Sequence, residues 1–283
     1  MRTLIQSFLD EIKEMLVQAC TKAFNEIIQA LSDLLVGSAG NLQQHPQGFN
    51  NDIFTMIQNV NNAIILPIAG IIMTYVLAHD IIIIINERNN TGDIDHVLLV
   101  KWVFKAFITI MLVSNAWTII MALFDVGVEV VGDFMGNGYR TTITDNLTLP
   151  DFSTYNIGEL AILFAESLIY KIVIFGAGIA VSVFVVFRFV EIYLYSSLAA
   201  IPFSMWGNRE LNNVSMGYLK TMLGLAFQAL LMIIVIAMFV IFIANSLTGD
   251  VLANFKWILV YVAVLVVGLK QAGSIAKNVY TGA

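Results

Sequence analysis

Apolar runs of about 20 residues, which recur between Ala63 and Leu269, constrain this chain more than any other feature. A helix of ~20 apolar residues matches the hydrocarbon thickness of a bilayer. Apolar residues make up 59% of the 283 residues and charged residues 12%, against roughly 45–50% and about 25% in soluble domains. A soluble fold would leave much of this apolar surface exposed. The sequence therefore predicts an all-α, polytopic membrane helix bundle.

The first 36 residues follow a different pattern. Apolar side chains recur there at spacings of three and four, with acids and lysines between them. This periodicity predicts an amphipathic helix over 1–36 that is too charged to span a bilayer, and that lies on the membrane or packs on a partner. The Gly-, Pro- and Asn-containing segment 37–52 predicts a hinge, and 53–283 is the predicted membrane domain.

Four spans have clear limits, and they are predicted at Ala63–Ile85, Trp102–Phe124, Tyr218–Ala244 and Val251–Leu269. The glycine-rich, acidic segment 125–158 is predicted to be a long extracytoplasmic loop. The apolar block Leu160–Trp206 is too long for one crossing and marginal for two. The number of spans is therefore five or six.

Loop charge favours five crossings. With one crossing at Ile172–Val190, seven basic residues near span ends lie on one side of the membrane and three on the other. The larger set is Arg88, Lys101, Lys105, Arg209, Lys220, Lys270 and Lys277, and the smaller is Arg140, Lys171 and Lys256. With two crossings in this block, the difference in basic residues between the two sides disappears, so the positive-inside rule predicts one crossing there. The same rule predicts a cytoplasmic C-terminus, with the N-terminus and loop 125–158 outside. Glu159–Tyr170 and Glu191–Trp206 then become interfacial or re-entrant helices.

No enzymatic site is visible in the sequence. The Lys220-Thr221 pair follows Leu219 rather than glycine, so there is no phosphate-binding loop of the Walker A type. The three histidines lack zinc-site spacing, and Cys20 is the single cysteine. The prediction is a non-enzymatic protein with no cofactor and no bound metal. The net charge of -6 also argues against a surface that coats nucleic acid.

Ionisable and amide side chains inside the spans are the candidates for function. Arg188 and Glu191 are three residues apart on one helix and are expected to pair. The pair either fixes the helix orientation or lines a cavity or a subunit contact. The hydrogen bonds of Gln228 and Asn115, which also lie inside spans, must be met by other helices or by a wet cavity. His79-Asp80 either caps the first span or relays protons.

Small residues in the third span predict close helix packing. They form overlapping pairs four residues apart, Gly176 with Ala180 and Gly178 with Ser182. Such pairs allow helices to approach closely, either inside the bundle or at an oligomer seam.

Two stretches, RFVEIYLYSSLAAIPFSMWGN (Arg188–Asn208) and YLKTMLGLAFQALL (Tyr218–Leu231), carry a family resemblance. Their pattern is an Arg-x-x-Glu-x-Tyr helix, an Ile201-Pro202 turn, and a Tyr-Leu-Lys helix with a glutamine inside the span. It resembles the VirB6/TrbL family of conjugative type IV secretion systems, in the form carried by integrative elements of Gram-positive bacteria. The broader similarity is expected from about Ala63 to the C-terminus.

The resemblance implies an inner-membrane channel or scaffold subunit that oligomerises and assists DNA transfer, with transient contact to the transferred DNA. Its partners would be other secretion subunits, including separate ATPases. The residues that it suggests for translocation or packing are Arg188, Glu191, Pro202, Lys220 and Gln228. A stand-alone permease or ion-coupled transporter is the alternative, although the inverted repeat typical of many transporters is not found.

Overall fold

Helices account for nearly all of the residues that the computed structural model describes, which are 2–88, 96–136, 151–248 and 251–281. The helices are α1 (Arg2–Leu42), α2 (Pro46–Phe49), α3 (Asn51–Val60), α4 (Leu66–Arg88), α5 (His96–Ser114), α6 (Ala116–Phe134), α7 (Ile157–Ser197), α8 (Ala200–Ser204), α9 (Asn212–Thr248) and α10 (Val251–Thr281). No strand occurs within those four ranges. The all-α prediction is confirmed.

Five helical segments in the described part of the chain are long and apolar enough to cross a membrane. They are Asn51–Asn86, Val97–Ser114, Ile157–Ser204, Asn212–Leu247 and Trp257–Tyr280. This agrees with the prediction of a polytopic bundle with about five transmembrane helices.

The chain divides into two compact units. Unit 1 consists of Met1–Gln43, Val130–Val186 and Ala229–Ala272, and unit 2 consists of Gln44–Glu129, Phe187–Gln228 and Gly273–Ala283. The three long helices α7, α9 and α10 contribute residues to both units.

In unit 1, the second half of α1 packs on the chain itself. The Cys20 thiol donates a hydrogen bond to the Leu160 carbonyl (3.4 Å), and the Phe24 ring lies 5.2 Å from that of Phe152 and 6.2 Å from that of Tyr170. The predicted N-terminal amphipathic helix is confirmed. The apolar face of its second half packs on α7 rather than on the membrane or a partner. In the first half, Phe8 and other apolar side chains remain exposed.

Helix α1 extends to Leu42, past the predicted end at residue 36. Glycines 37 and 40 each cost about 1 kcal/mol of helix stability relative to alanine. Burial of Ala39 and Leu42 and the hydrogen bond from Ser38 Oγ to the Leu34 carbonyl offset this cost. The bend instead falls at 43–45, before the short helix α2.

The predicted span Trp102–Phe124 is wrong because the helix is interrupted at Asn115. The Asn115 side-chain amide donates to the Met111 carbonyl (2.9 Å), a local bond of the kind that bends helices. The span is Val97–Ser114, and α6 continues into the predicted loop 125–158 as far as Phe134. Residues 137–150 of that loop lie outside the described residues.

Helix α7 runs without a break for 41 residues, which corresponds to about 60 Å. An unbroken helix cannot reverse its direction, so the block Leu160–Trp206 makes one crossing, in agreement with the five-span prediction. The separate flanking helices expected at Glu159–Tyr170 and Glu191–Trp206 are not formed. The first segment and the start of the second are continuous with α7, and only Ala200–Ser204 forms a separate short helix, α8.

In unit 2, α3 and α4 are joined by one turn of π-helix at Asn61–Ile65. Pro67 follows directly, inside the first turn of α4. Helices α4, α5 and α8 pack on one another. Gly207, just after α8, lies against them, since a Cβ there would come 2.8 Å from Leu77 Cδ2 and 2.9 Å from Thr109 Oγ1. A side chain at position 207 would therefore displace the Leu77 or Thr109 side chain.

Candidate functional site

Helices α7 and α10 are joined in unit 2 by a partly buried ion pair. Lys277 Nζ donates to Glu191 Oε1 at 3.1 Å, and the two side chains are 27% and 22% exposed. The same ammonium group lies 5.7 Å from the centre of the Tyr195 ring, which adds a cation–π contact. Glu191 and Lys277, together with Gln228, are called the polar junction below.

Helix α9 approaches α10 closely at the polar junction. A Cβ on Gly224 would lie 2.9 Å from the Ala276 carbonyl oxygen and 2.9 Å from Lys277 Cα. Gln228 lies across Gly273, where a Cβ would come 2.9 Å from its Nε2 atom. Gln228 Oε1 is buried and accepts no hydrogen bond from any described residue. The junction thus contains a buried acceptor without a partner among the described residues.

Arg188 lies one turn before Glu191 on α7 and is only 2% exposed. Its guanidinium carbon lies 5.4 Å from the centre of the Phe189 ring, which stacks on Phe49 at 3.9 Å. Its Nε and Nη1 atoms are buried without a hydrogen bond to any residue that the structure describes. Buried charges are costly unless they are paired, so Arg188 is the most unusual polar group of the described chain.

The predicted Arg188–Glu191 ion pair is wrong. A three-residue step on a helix leaves the two side chains about 60° apart around the axis. Glu191 therefore faces α10 and binds Lys277, whereas Arg188 points into packed surroundings. Lys277 is the member of the polar junction that sequence reasoning missed, because that lysine was counted only as a loop charge.

Two further predicted residues lie near the α8–α9 connection or on α9. The Pro202 carbonyl accepts a hydrogen bond from Ser215 Oγ, which ties α8 to the first turn of α9. Lys220 is exposed and forms no ion pair with a described residue. Pro202 thus has a structural contact, and Lys220 is a free surface cation within the described part of the chain.

The small-residue face of α7 is not the face that packs within the chain. Gly176 and Ser182 are exposed, and a Cβ on Gly176 would meet nothing within 4 Å. The buried positions are Ala177 and Val181, one residue further along. The full predicted set is Gly176, Gly178, Ala180 and Ser182. A Cβ added to Gly178 would lie 3.8 Å from Leu34 Cδ1, which is an ordinary van der Waals contact. A packing role inside the bundle is therefore wrong for Gly176, and an oligomer seam stays a prediction.

A family model described as "TrbL/VirB6 plasmid conjugal transfer like protein" matches residues 31–200, more than half of the chain. The chain belongs to the TrbL/VirB6 family. A search of curated proteins and a search of solved structures each gave no match. The family match begins earlier than the expected similarity from Ala63, within α1, and it ends before Pro202. Arg188 and Glu191 lie inside it, whereas Lys220, Gln228 and Lys277 lie beyond it.

Membership in the TrbL/VirB6 family, together with five apolar helices, makes this chain a multi-pass membrane component of conjugal transfer. Its partners are other components of the secretion system. The predicted family is confirmed.

Proposed function

We propose that this TrbL/VirB6 chain is a non-enzymatic channel or scaffold subunit of a conjugative type IV secretion system, which oligomerises and assists the passage of DNA across the membrane. The observation that carries the proposal is Arg188, a cation buried in a candidate membrane span whose Nε and Nη1 atoms have no hydrogen-bond partner among the described residues. In-span ionisable groups that lack a partner in their own chain are typical of routes and subunit contacts.

The chemistry of Arg188 suits a phosphate or carboxylate supplied from outside unit 2. Its guanidinium group presents a planar set of donors that binds such anions through two hydrogen bonds. The Phe189 ring, which stacks on Phe49, lies 5.4 Å from the guanidinium carbon of Arg188. The anion would be a phosphate of the transferred strand or a carboxylate of a neighbouring subunit.

Other polar atoms of unit 2 support the same role. Asn61 Oδ1, Ser196 Oγ and Gln228 Oε1 are buried in helices of the membrane domain without a described partner. Within a bilayer such atoms need another helix or a wet cavity. An assembly of several copies with the other secretion subunits would provide both. Energy would come from separate ATPases, because the sequence has no Walker A loop.

We place the N-terminus and loop 125–158 outside and the C-terminus in the cytoplasm, because this orientation follows the positive-inside rule. Thr142→Cys and Ser274→Cys, each in a Cys20→Ser background, should be labelled by a membrane-impermeant thiol reagent from opposite faces. Labelling of both positions from the same face would overturn the five-crossing orientation.

The role of Arg188 is tested by measuring membrane abundance and conjugation frequency together. Arg188→Met replaces the cation by an apolar side chain of similar length, and removal of an unpaired buried charge should leave abundance near normal. We expect transfer to fall by about tenfold or more, since a hydrogen bond to a charged group contributes about 1.5–3 kcal/mol. Arg188→Lys keeps the charge and should retain part of the transfer.

Lys270→Met serves as the matched control, because Lys270 is an exposed cation on α10. It should leave both measurements unchanged. Normal abundance with normal transfer in Arg188→Met would overturn the proposed role, and a parallel loss of abundance and transfer would make Arg188 a structural residue.

A further inference from the structure

A cavity of about 510 Å³ opens in unit 2 between the end of α4, the start of α5 and the turn that leads into α9. The sequence suggested only a helix cap or a proton relay for Asp80, and it did not bring the other lining residues together as a site. Its polar lining consists of three basic and two acidic side chains together with Asn208 and Trp102. Its apolar lining is Ile83, Ile84 and Leu98.

An ion pair neutralises part of this cavity. Lys105 Nζ donates to both carboxylate oxygens of Asp80, at 3.1 and 3.2 Å, and Asp80 is buried. The sequence suggested a proton relay or a helix cap for His79-Asp80, and the structure shows that Asp80 pairs with Lys105. The remaining charges of the lining are Lys101, Arg209 and Glu210, so the cavity keeps an excess of one positive charge.

The turn that carries Arg209 is held in place. Asn208 is buried, and its Oδ1 atom accepts hydrogen bonds from the backbone N–H groups of Glu210 (2.8 Å) and Leu211 (3.1 Å). Its Nδ2 atom lies 3.4 Å from His79 Nδ1 on α4. Arg209 is therefore presented to the cavity by an ordered turn, although its own side chain is exposed and makes no ion pair with a described residue.

The cavity also contains an unsatisfied donor. The indole nitrogen of Trp102 is buried and makes no hydrogen bond to any residue of the described ranges. Tryptophan commonly lies at the headgroup level of a membrane, with its ring in the apolar part and its N–H toward polar groups. The lining thus has an apolar wall, an indole donor and two cations, Lys101 and Arg209, that form no ion pair with a described residue.

We propose that this cavity binds the headgroup phosphate of an anionic phospholipid, with Lys101 and Arg209 opposite the phosphate and Ile83, Ile84 and Leu98 against the first carbons of an acyl chain. Basic pockets between transmembrane helices are suited to lipid headgroups. A free phosphate ion would not require the apolar wall. On the proposed orientation the lipid belongs to the cytoplasmic leaflet.

Native mass spectrometry of the purified full chain tests the proposal with phosphatidylglycerol and phosphatidylcholine as probes. The wild type should bind its first phosphatidylglycerol more tightly than its first phosphatidylcholine. The double variant Lys101→Gln/Arg209→Gln should weaken phosphatidylglycerol binding by between about fivefold and about 30-fold, because each cation near a headgroup contributes about 1 kcal/mol. Binding of phosphatidylcholine should not change.

Two further variants keep the result interpretable. Lys22→Gln/Lys270→Gln removes two exposed cations of unit 1 and should leave the preference within about twofold of the wild type. The charge-conserving Lys101→Arg/Arg209→Lys should restore the preference. An unchanged melting temperature of the first double variant shows that its loss is not due to misfolding. No preference in the wild type, or an equal preference in the first double variant, would overturn the site.

Glycerol 3-phosphate, which has a phosphate group but no acyl chain, separates a lipid from a soluble phosphate. For a lipid site it should compete poorly, and Leu98→Ser should weaken phosphatidylglycerol binding. Strong competition by glycerol 3-phosphate with no effect of Leu98→Ser would assign the cavity to a soluble phosphate and overturn the lipid proposal.

Discussion

Units 1 and 2 draw on the same long helices but are stabilised differently. In unit 1 the described ion pair, Lys171 with Glu26, is exposed, and the contacts around it are apolar. In unit 2 the ion pairs Asp80–Lys105 and Glu191–Lys277 are partly or largely withdrawn from solvent. Arg188 is buried there without an anion among the described residues. Burial of these polar groups has a desolvation cost that apolar residues would not have, which is why we place the proposed functions in unit 2.

The largest expected effect tests whether unit 1 depends on apolar packing. Ile27 is fully buried, whereas Leu9 on the same helix is 41% exposed. Ile27→Asp places an unpaired charge in that contact and should cost on the order of 3–5 kcal/mol. Leu9→Asp should cost less than about 0.5 kcal/mol. Thermal melting of the purified variants measures both.

An equal effect of the two substitutions would show that the first half of α1 is also covered. Deletion of residues 1–36 should leave membrane insertion of the spans intact while it lowers the melting temperature. Failure of the truncated chain to insert would make α1 part of the insertion signal.

The second effect concerns the polar junction of unit 2. Glu191→Ala leaves Lys277 without its carboxylate in a place that is about three-quarters buried, and we expect a loss of about 2 kcal/mol, below the value for a fully buried pair. The exchange Glu191→Lys/Lys277→Glu should recover much of it. In unit 1, Glu26→Ala should cause a much smaller loss, because both partners there are more exposed.

Exchange of Arg188 and Glu191, in contrast, should give no recovery, since these residues are not paired. Recovery of stability by that exchange would support the Arg188–Glu191 ion pair expected from the sequence. It would contradict the contact between Glu191 and Lys277.

A third, smaller effect compares two glycines of α9. Gly224→Ala would bring a methyl group to 2.9 Å from the Ala276 carbonyl oxygen, and such overpacking costs about 1–3 kcal/mol. Gly217→Ala meets nothing within 4 Å and should be neutral or slightly stabilising. Melting temperatures that fall equally in both variants would contradict the close approach of α9 and α10.

The smallest effect is a pH dependence confined to unit 1. The hydrogen bond and charge of Lys171 lower the pKa of Glu26 below its ordinary value of 4.5. A lowered pKa in the folded chain contributes stability that is present above the unfolded pKa and is lost as the pH falls through the folded value. The melting temperature of the wild type should therefore decline slightly more than that of Glu26→Gln below pH 4.5. Identical profiles would show that this exposed pair contributes nothing.

The sequence predicted what depends on local pattern. The spacing of apolar residues in α1 and the apolar runs of the spans require no knowledge of the fold, and both predictions are confirmed. The partner of Glu191 could not be predicted in this way, because Lys277 is 86 residues distant and many charges are available over such a separation. The interruption at Asn115 was also missed, since hydropathy does not register a side-chain amide that bonds to its own helix.

The π-helical turn at Asn61–Ile65 has a consequence for the alignment of related chains. One such turn contains an extra residue compared with an α-helix, so it changes the azimuth of everything after it by about 100°. Asp80, whose carboxylate accepts hydrogen bonds from Lys105, lies on α4 after that offset. A homologue that lacks one residue between positions 61 and 65 would therefore present a different face of α4 to α5, even with every later residue identical. Gaps in this short segment thus carry more structural information than substitutions in the isoleucine run that follows.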